Sequence, residues 1–216
     1  HAVAKMDGPA VDLVGGYAFV YINTFPNNGE ELLKKLRALT PKALKDIETV
    51  VIDVRGNEGG YVETLRNLLD LSFSPQPGLE YLKLVGRATF GTHYTTSRTG
   101  IFAGRSILIL ADSDTGSSSE WLIETLCYEW YPDKCTTVGA KTLGKSILQC
   151  MQTVYIHMKL TCGEWYLTVR GDTRKDQSRL PVRIQGVGIP PDKPMTFDCD
   201  RFAYACIARQ LADAGL

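Results

Sequence analysis

Apolar residues along this chain come in two spacings, and the two spacings alternate. Tyr17-Ala18-Phe19-Val20-Tyr21-Ile22 is rich in aromatic and β-branched residues and reads as a strand. Val50-Val51-Ile52-Asp53-Val54 is short and almost wholly apolar. That suits a strand covered on both faces, as in a parallel sheet with flanking helices. Ile107-Leu108-Ile109-Leu110 is a second run of this kind. Between these runs the spacing becomes helical. Leu32, Leu33, Leu36 and Leu39 share one face after Asn28-Gly29, and Pro41 ends the pattern. Val62, Leu65, Leu68 and Leu69 follow Gly56-Asn57-Glu58-Gly59-Gly60, and a further helix opens at Trp121-Leu122-Ile123. Pro75, Pro77 and Gly78 mark a loop.

The remaining elements are shorter. Leu79 to Val85 and Thr136 to Ala140 read as strands, and the polar stretch from His93 to Arg105 as loop. Ile147 to Leu160 and Trp165 to Val169 read as a hairpin turning at Cys162-Gly163-Glu164. Gly171 to Arg179 is a polar loop, and Asp200 to Ala214 a closing helix with Phe202, Cys206 and Ile207 facing inward. Strands alternate with helices first and an antiparallel pair comes later, so the expected class is mixed α/β.

Composition narrows the function. With 216 residues the chain can bury one sizeable core. It carries 24 basic and 24 acidic residues, and this balance argues against nucleic acid as a partner. There is no run of eighteen apolar residues to span a membrane and no N-terminal signal pattern. Six cysteines, without CxxC or Cys/His spacing, argue against a metal site. Their even number permits disulfides and an exported location. Cys127 and Cys135 flank a helix end and a turn, so they can meet. Were Cys199 and Cys206 both helical, their Cα atoms would stand about 10 Å apart, beyond the roughly 7 Å reach of a disulfide.

The chemistry gathers in three segments. Asp114-Thr115-Gly116-Ser117-Ser118-Ser119-Glu120 places serines between a strand and a helix. A helix N-terminus offers unpaired N–H groups and partial positive charge. A serine held there can attack a carbonyl while backbone donors receive the developing charge. The plainer reading is a capping box, Ser117 with Glu120 three residues on. GxSxG is absent, so a nucleophile elbow of the α/β-hydrolase type is not supported. Gly56 to Gly60 could cradle an anion, but the lysine and Ser/Thr of a phosphate loop are missing. Its glycines also let backbone N–H groups approach a substrate oxygen. The third segment is Val138 to Gln149, where Lys145 is a candidate base. A triad using His93 is a weaker alternative, since a loop histidine is usually just solvated, and His157 reads as strand surface. Asp53 is expected to bond backbone or Arg55. Arg170-Gly171-Asp172 spells an adhesion tripeptide in a polar turn, which chance explains. Trp121, Trp130 and Trp165 read as core or pocket wall.

These segments resemble, in order, the motifs of the carboxy-terminal processing peptidases, or tail-specific proteases. That family shows D-L-R-x-N-x-G-G, then T-A-S-A-S-E, then G-x-x-T-x-G-K-x-x-x-Q. A fourth block, Gly186-Val187-Gly188-Ile189-Pro190-Pro191-Asp192, resembles its G-x-G-I-x-P-D. Phe25, near Tyr21-Ile22, fits the opening strand. The blocks span Tyr17 to Asp192. Gly116 and Ser118 stand where the family has alanines, Val54 replaces leucine, Glu58 replaces proline, and the Ser117–Lys145 interval is a few residues longer.

The resemblance implies a serine endopeptidase on a crotonase-like core, cleaving unfolded tails or peptides through an acyl-enzyme. Ser117 would be the nucleophile, with Ser119 the second choice. Lys145 would be the general base and Gln149 the residue orienting it. Backbone N–H groups of Ser118 and of Gly59 or Gly60 would form the oxyanion hole. No cofactor is implied, a periplasmic or extracellular location is, and the whole of 1–216 reads as one catalytic domain. Residues 1–14 read as a remnant of a preceding region, and no segment resembles a PDZ module.

Such a mechanism has an electrostatic requirement. Lysine accepts a proton only when neutral, and its reference pKa is about 10.4. Lowering that to about 7 takes roughly 4.6 kcal/mol against the ammonium form, which burial can supply. Two other functions stay open: a non-catalytic module of the same fold that binds apolar ligands, as in the retinoid-binding modules of the eye matrix, and acyl transfer to a small substrate.

Overall fold

The computed structural model describes residues 8–85, 92–145, 147–153, 157–165 and 184–216. The expected α/β architecture is present. The larger sheet has six strands, in the order β1 (Ala10–Val14), β2 (Tyr17–Tyr21), β3 (Thr49–Asp53), β6 (Ser106–Ala111), β7 (Cys135–Gly139) and β10 (Lys193–Pro194). β1 runs antiparallel to β2, and the other neighbours are parallel. β1 brings part of the segment before residue 14 into this sheet. The helices are α1 (Glu30–Arg37), α2 (Val62–Leu68), α3 (Ser118–Ile123) and α4 (Tyr204–Asp213). α2 and α3 each run on into a wider π-helical stretch, Leu69–Phe73 and Glu124–Trp130.

The unbroken apolar runs are explained by burial on both faces. Val20, Val50, Ile52, Ile107 and Ile109 point to one side and pack with α1, α2 and α3 through Leu32, Leu36, Leu65, Leu68, Trp121 and Leu122. Phe19, Tyr21, Val51, Leu108 and Leu110 point to the other and pack with Tyr204, Ile207 and Leu211 of α4. Fully burying one such aliphatic side chain is worth about 1.5–3 kcal/mol. The β3–β6 register pairs Ile52 with Ile109 and Asp53 with Leu110. The loops leaving these two strands therefore start side by side, at the strand ends where α/β sheets hold ligands.

A second, antiparallel sheet is ordered β5 (Thr92–Thr95), β4 (Glu80–Val85), β9 (His157–Trp165), β8 (Ile147–Thr153). It corrects two expectations. Residues 93–95, at the start of the stretch read as loop, belong to β5 and pair with β4, because Thr-His-Tyr-Thr can serve as an edge strand. The hairpin is also earlier than expected. β8 and β9 pair from Thr153↔His157, so Cys162-Gly163-Glu164 lies inside β9 rather than at a turn. Leu148 pairs with Gly163 and Gln149 with Thr161, which leaves Cys162 as an extra residue. Glycine beside a bulge mimics a turn signal in sequence. Val169 and the polar loop from 171 to 179, with its Arg-Gly-Asp, lie outside the described residues.

Cys127 and Cys135 form a disulfide, with Cα atoms 4.7 Å apart. Cys199 and Cys206 form another, with Cα atoms 6.1 Å apart. The premise that separated the latter pair fails, because α4 starts at Tyr204 and Cys199 precedes it. Tyr204 stacks on Phe19, with ring centroids 4.6 Å apart. Its buried hydroxyl has no hydrogen-bond partner among the described residues. Burial raises its pKa above 10.0, and the charge of Asp53 adds to the effect. A raised folded-state pKa stabilises below the unfolded value and loses that contribution as pH climbs past it. Stability should therefore fall above about pH 10. Tyr204→Phe should flatten that fall while staying within about 1 kcal/mol of wild type at pH 7. Urea melts of both proteins across this pH range check it.

Candidate active site

The site forms where the loops after β3 and β6 meet. Thr115 closes the turn after β6: its Oγ1 donates to Val54 O at 3.0 Å and accepts from Asp112 N at 3.0 Å. Asp112 Oδ1 reaches across to accept from Gly56 N at 2.8 Å. Asn57 is fully buried and organises the facing loop. Its Nδ2 donates to Ile22 O at 2.9 Å, its Oδ1 accepts from Gly59 N at 2.8 Å, and its backbone O accepts from Gly116 N at 2.9 Å.

Between these loops Ser117 has φ 57° and ψ −121°, the one positive φ at a non-glycine among the described residues. Such a conformation costs on the order of 1–3 kcal/mol and persists only where surroundings enforce it. Here it holds the residue at the mouth of α3. The loop opposite must be bare: a Cβ on Gly59 would lie 2.5 Å from Ser117 Cβ and 2.9 Å from Gly116 O.

The three serines divide their roles. Ser118 Oγ donates to Gly60 O at 2.8 Å, and Ser119 Oγ to Asn57 O at 3.0 Å. Both residues are buried. Ser117 is half-buried, and its hydroxyl donates to no acceptor among the described residues. The backbone donors differ too. Gly59 N–H is taken by Asn57, whereas the N–H groups of Gly60 and Ser118 meet no acceptor among the described residues.

Glu120 forms the expected capping box, its Oε2 accepting from Ser117 N at 3.0 Å. It does more than cap. Oε2 also accepts from Lys145 N at 2.7 Å, and Oε1 accepts from Thr142 Oγ1 at 2.6 Å and Gly144 N at 2.7 Å. One fully buried carboxylate thus joins the serine turn to the segment bearing Lys145. That segment is braced elsewhere: Leu143 N donates to Thr115 O at 2.9 Å, and Ile189 N to Thr142 Oγ1 at 2.7 Å. The fourth sequence block is therefore a brace for the third. Asp192 Oδ2 continues it, accepting from Thr137 N and Oγ1, both at 2.9 Å.

Lys145 is half-buried beside this junction. Gln149 lies in β8, opposite Thr161, and its side chain is outside the described residues. His93 and His157 sit in the second sheet, in β5 and β9. Asp53 is fully buried and holds Arg55, Nη2 to Oδ2 at 2.6 Å and Nε to Oδ1 at 2.9 Å, as expected. Burial pulls the Arg55 pKa down, but the hydrogen bond and charge of Asp53 outweigh it and the net direction is up. Trp121 belongs to the core and Trp130 packs at its edge. Among the described residues no group of three His, Cys, Asp or Glu is placed to hold a metal.

Sequence reasoning missed Asn57, Thr142 and the second use of Glu120. The capping pattern marked Glu120, but nothing in linear order shows that a carboxylate accepting at one helix end also reaches residues 142–145.

The family model for peptidase family S41 matches residues 16–194. The chain belongs to peptidase family S41. It is 31% identical over 160 residues to the carboxy-terminal processing protease CtpB of Bacillus subtilis (strain 168), covering 71% of this chain and 31% of that protein. The fold is similar to the photosystem II D1 C-terminal processing protease, with TM-score 0.65 and 18% identity over 88% of this chain and 46% of that one. It is also similar to a putative S41 protease from Bacteroides fragilis NCTC 9343, with TM-score 0.69 and 14% identity over 96% and 57%. The chain spans about a third of the curated relative's length.

Proposed function

We propose that this S41 domain is a serine endopeptidase that cleaves unfolded protein tails or peptides with Ser117 and Lys145. One observation carries the reading: Ser117 is held at a strained φ, and among the described residues its hydroxyl donates to no acceptor and the N–H groups of Ser118 and Gly60 are unclaimed. In acylation, Ser117 Oγ attacks the scissile carbonyl carbon and its proton passes to Lys145 Nζ. The carbonyl oxygen becomes an oxyanion between the N–H groups of Ser118 and Gly60. Lys145 then protonates the leaving amine, and the C–N bond breaks. In deacylation, water loses a proton to Lys145 and attacks the ester, releasing the acid and restoring Ser117.

Gly60 rather than Gly59 is the donor in this reading, because Gly59 already donates to Asn57. Gln149, four residues beyond Lys145, orients the amine. The processing proteases among the relatives support protein tails as substrates. The Cys127–Cys135 and Cys199–Cys206 disulfides support an exported location. No described helix is long and apolar enough to cross a membrane. Residues 1–216 act as one catalytic domain.

The test is to incubate the protein with a fluorophosphonate and with a permanently unfolded protein, and to map the labelled peptide by mass spectrometry. Label on Ser117, with digestion that Lys145→Ala abolishes, is the expected result. Label on Ser119 instead would reassign the nucleophile. No label and no digestion, with tight binding of an apolar ligand, would favour the non-catalytic module.

A further inference from the structure

We infer that the Ser118 hydroxyl is a positioning residue for the oxyanion hole, tying its two donors to each other. This rests on the peptidase reading above. Ser118 supplies one donor through its N–H, and its Oγ holds the carbonyl of Gly60, the residue supplying the other, at 2.8 Å. An alanine at 118, as the family pattern has, would still present the N–H but could not make this bond. The bond therefore departs from what the family pattern's alanine can make.

The need for it lies in the loop. Gly59 and Gly60 have φ 107° and 143°, values only glycine adopts readily, so the backbone on either side of Gly60 is held by its hydrogen bonds rather than by side-chain sterics. One side of Gly60 is already fixed. The peptide bearing the Gly60 N–H is anchored through Gly59 O, which accepts from Phe25 N at 3.0 Å and Thr24 Oγ1 at 3.1 Å, and the next peptide through Tyr61 N, which donates to Phe25 O at 2.7 Å. A Cβ on Gly60 would sit 2.1 Å from Phe25 O, so this side is closed. Ser118 Oγ grips the second of these peptides, at Gly60 O, and so links Ser118 to the residue whose N–H is the other donor. The hydroxyl is buried with its residue, 2% exposed, so water does not compete freely for that carbonyl. By fixing the spacing of Ser118 and Gly60, the bond sets where their two N–H groups meet the oxyanion, an effect on the transition state more than on ground-state binding.

The experiment compares Ser118→Ala and Ser118→Thr with wild type on one unfolded or peptide substrate, with the rate of fluorophosphonate labelling as a second readout. Loss of one hydrogen bond of ordinary strength predicts about a five- to tenfold fall in kcat for Ser118→Ala, with KM unchanged and labelling slowed in parallel. Ser118→Thr, which keeps a hydroxyl, should recover most of the loss. Ser118→Ala with wild-type kcat and labelling rate would overturn the inference while leaving the Ser117 reading standing. So would a rise in KM alone, which would place the hydroxyl in substrate binding. A wild type that neither labels nor digests overturns the peptidase reading, and this inference with it.

Discussion

Replacing Ser117 with alanine is expected to lower kcat for an unfolded substrate by about 10⁴–10⁶-fold, while Ser119→Ala stays within about tenfold of wild type. The difference comes from what each hydroxyl touches. Ser119 Oγ is committed to Asn57 O inside a fully buried residue, so its loss loosens a loop and removes no reacting atom. Ser117 alone of the three has its proton uncommitted among the described residues. Activity left in Ser117→Ala should be the part an oxyanion hole and binding supply without a nucleophile. Stability should fall only modestly: alanine inherits φ 57° without new strain but loses the capping-box acceptor at the start of α3, worth about 0.5–2 kcal/mol. Burst-phase and steady-state kinetics on the two variants decide it. Comparable losses in both would mean that the serine turn acts as a unit and that the assignment to Ser117 is unsupported.

The fold was largely legible in sequence because its large sheet is buried on both faces. Val50 to Val54, apolar but for the Arg55-paired Asp53, and Ile107 to Leu110 read as central strands because helices cover both faces of the sheet. The smaller sheet was read less well. Thr92–Thr95 lacks an apolar signal, and Gly163 advertises a turn where the backbone only bulges. At the site, the residues resembling family motifs converge in the structure: Gly59, Gly60, Ser117, Ser118 and Lys145 all reach one junction. What binds them was not legible. Asn57 bonds residues as distant as Ile22 and Gly116, and Glu120 bonds residues 142 to 145; such bonds depend on loops that are adjacent only once β3, β6 and β7 have paired.

That distinction gives Glu120 the other large effect. Glu120→Ala should lower kcat by about 10³-fold, and Glu120→Gln by roughly 10–100-fold, with KM little changed in either. The carboxylate is fully buried, and four donors replace the water it gave up. Alanine strands the N–H groups of Ser117, Gly144 and Lys145 together, at about 1–3 kcal/mol for each left unsatisfied. A glutamine must turn its NH₂ toward one pair of donors. Facing Ser117 N–H and Lys145 N–H it meets two fixed donors, whereas facing Thr142 and Gly144 it meets one hydroxyl that can rotate to accept. The second orientation is cheaper and keeps the shared oxygen between Ser117 and Lys145. The milder effect of Glu120→Gln thus follows from which oxygen joins the N–H groups of Ser117 and Lys145. Thermal melts must accompany the kinetics, because both variants should also lose stability. The diagnostic result is a fall in kcat measured well below the melting transition, with fluorophosphonate labelling of Ser117 slowed to match. A Glu120→Ala protein that melts early but turns over normally when folded would reduce Glu120 to a helix cap, and the coupling of the two segments through one carboxylate would have no part in catalysis.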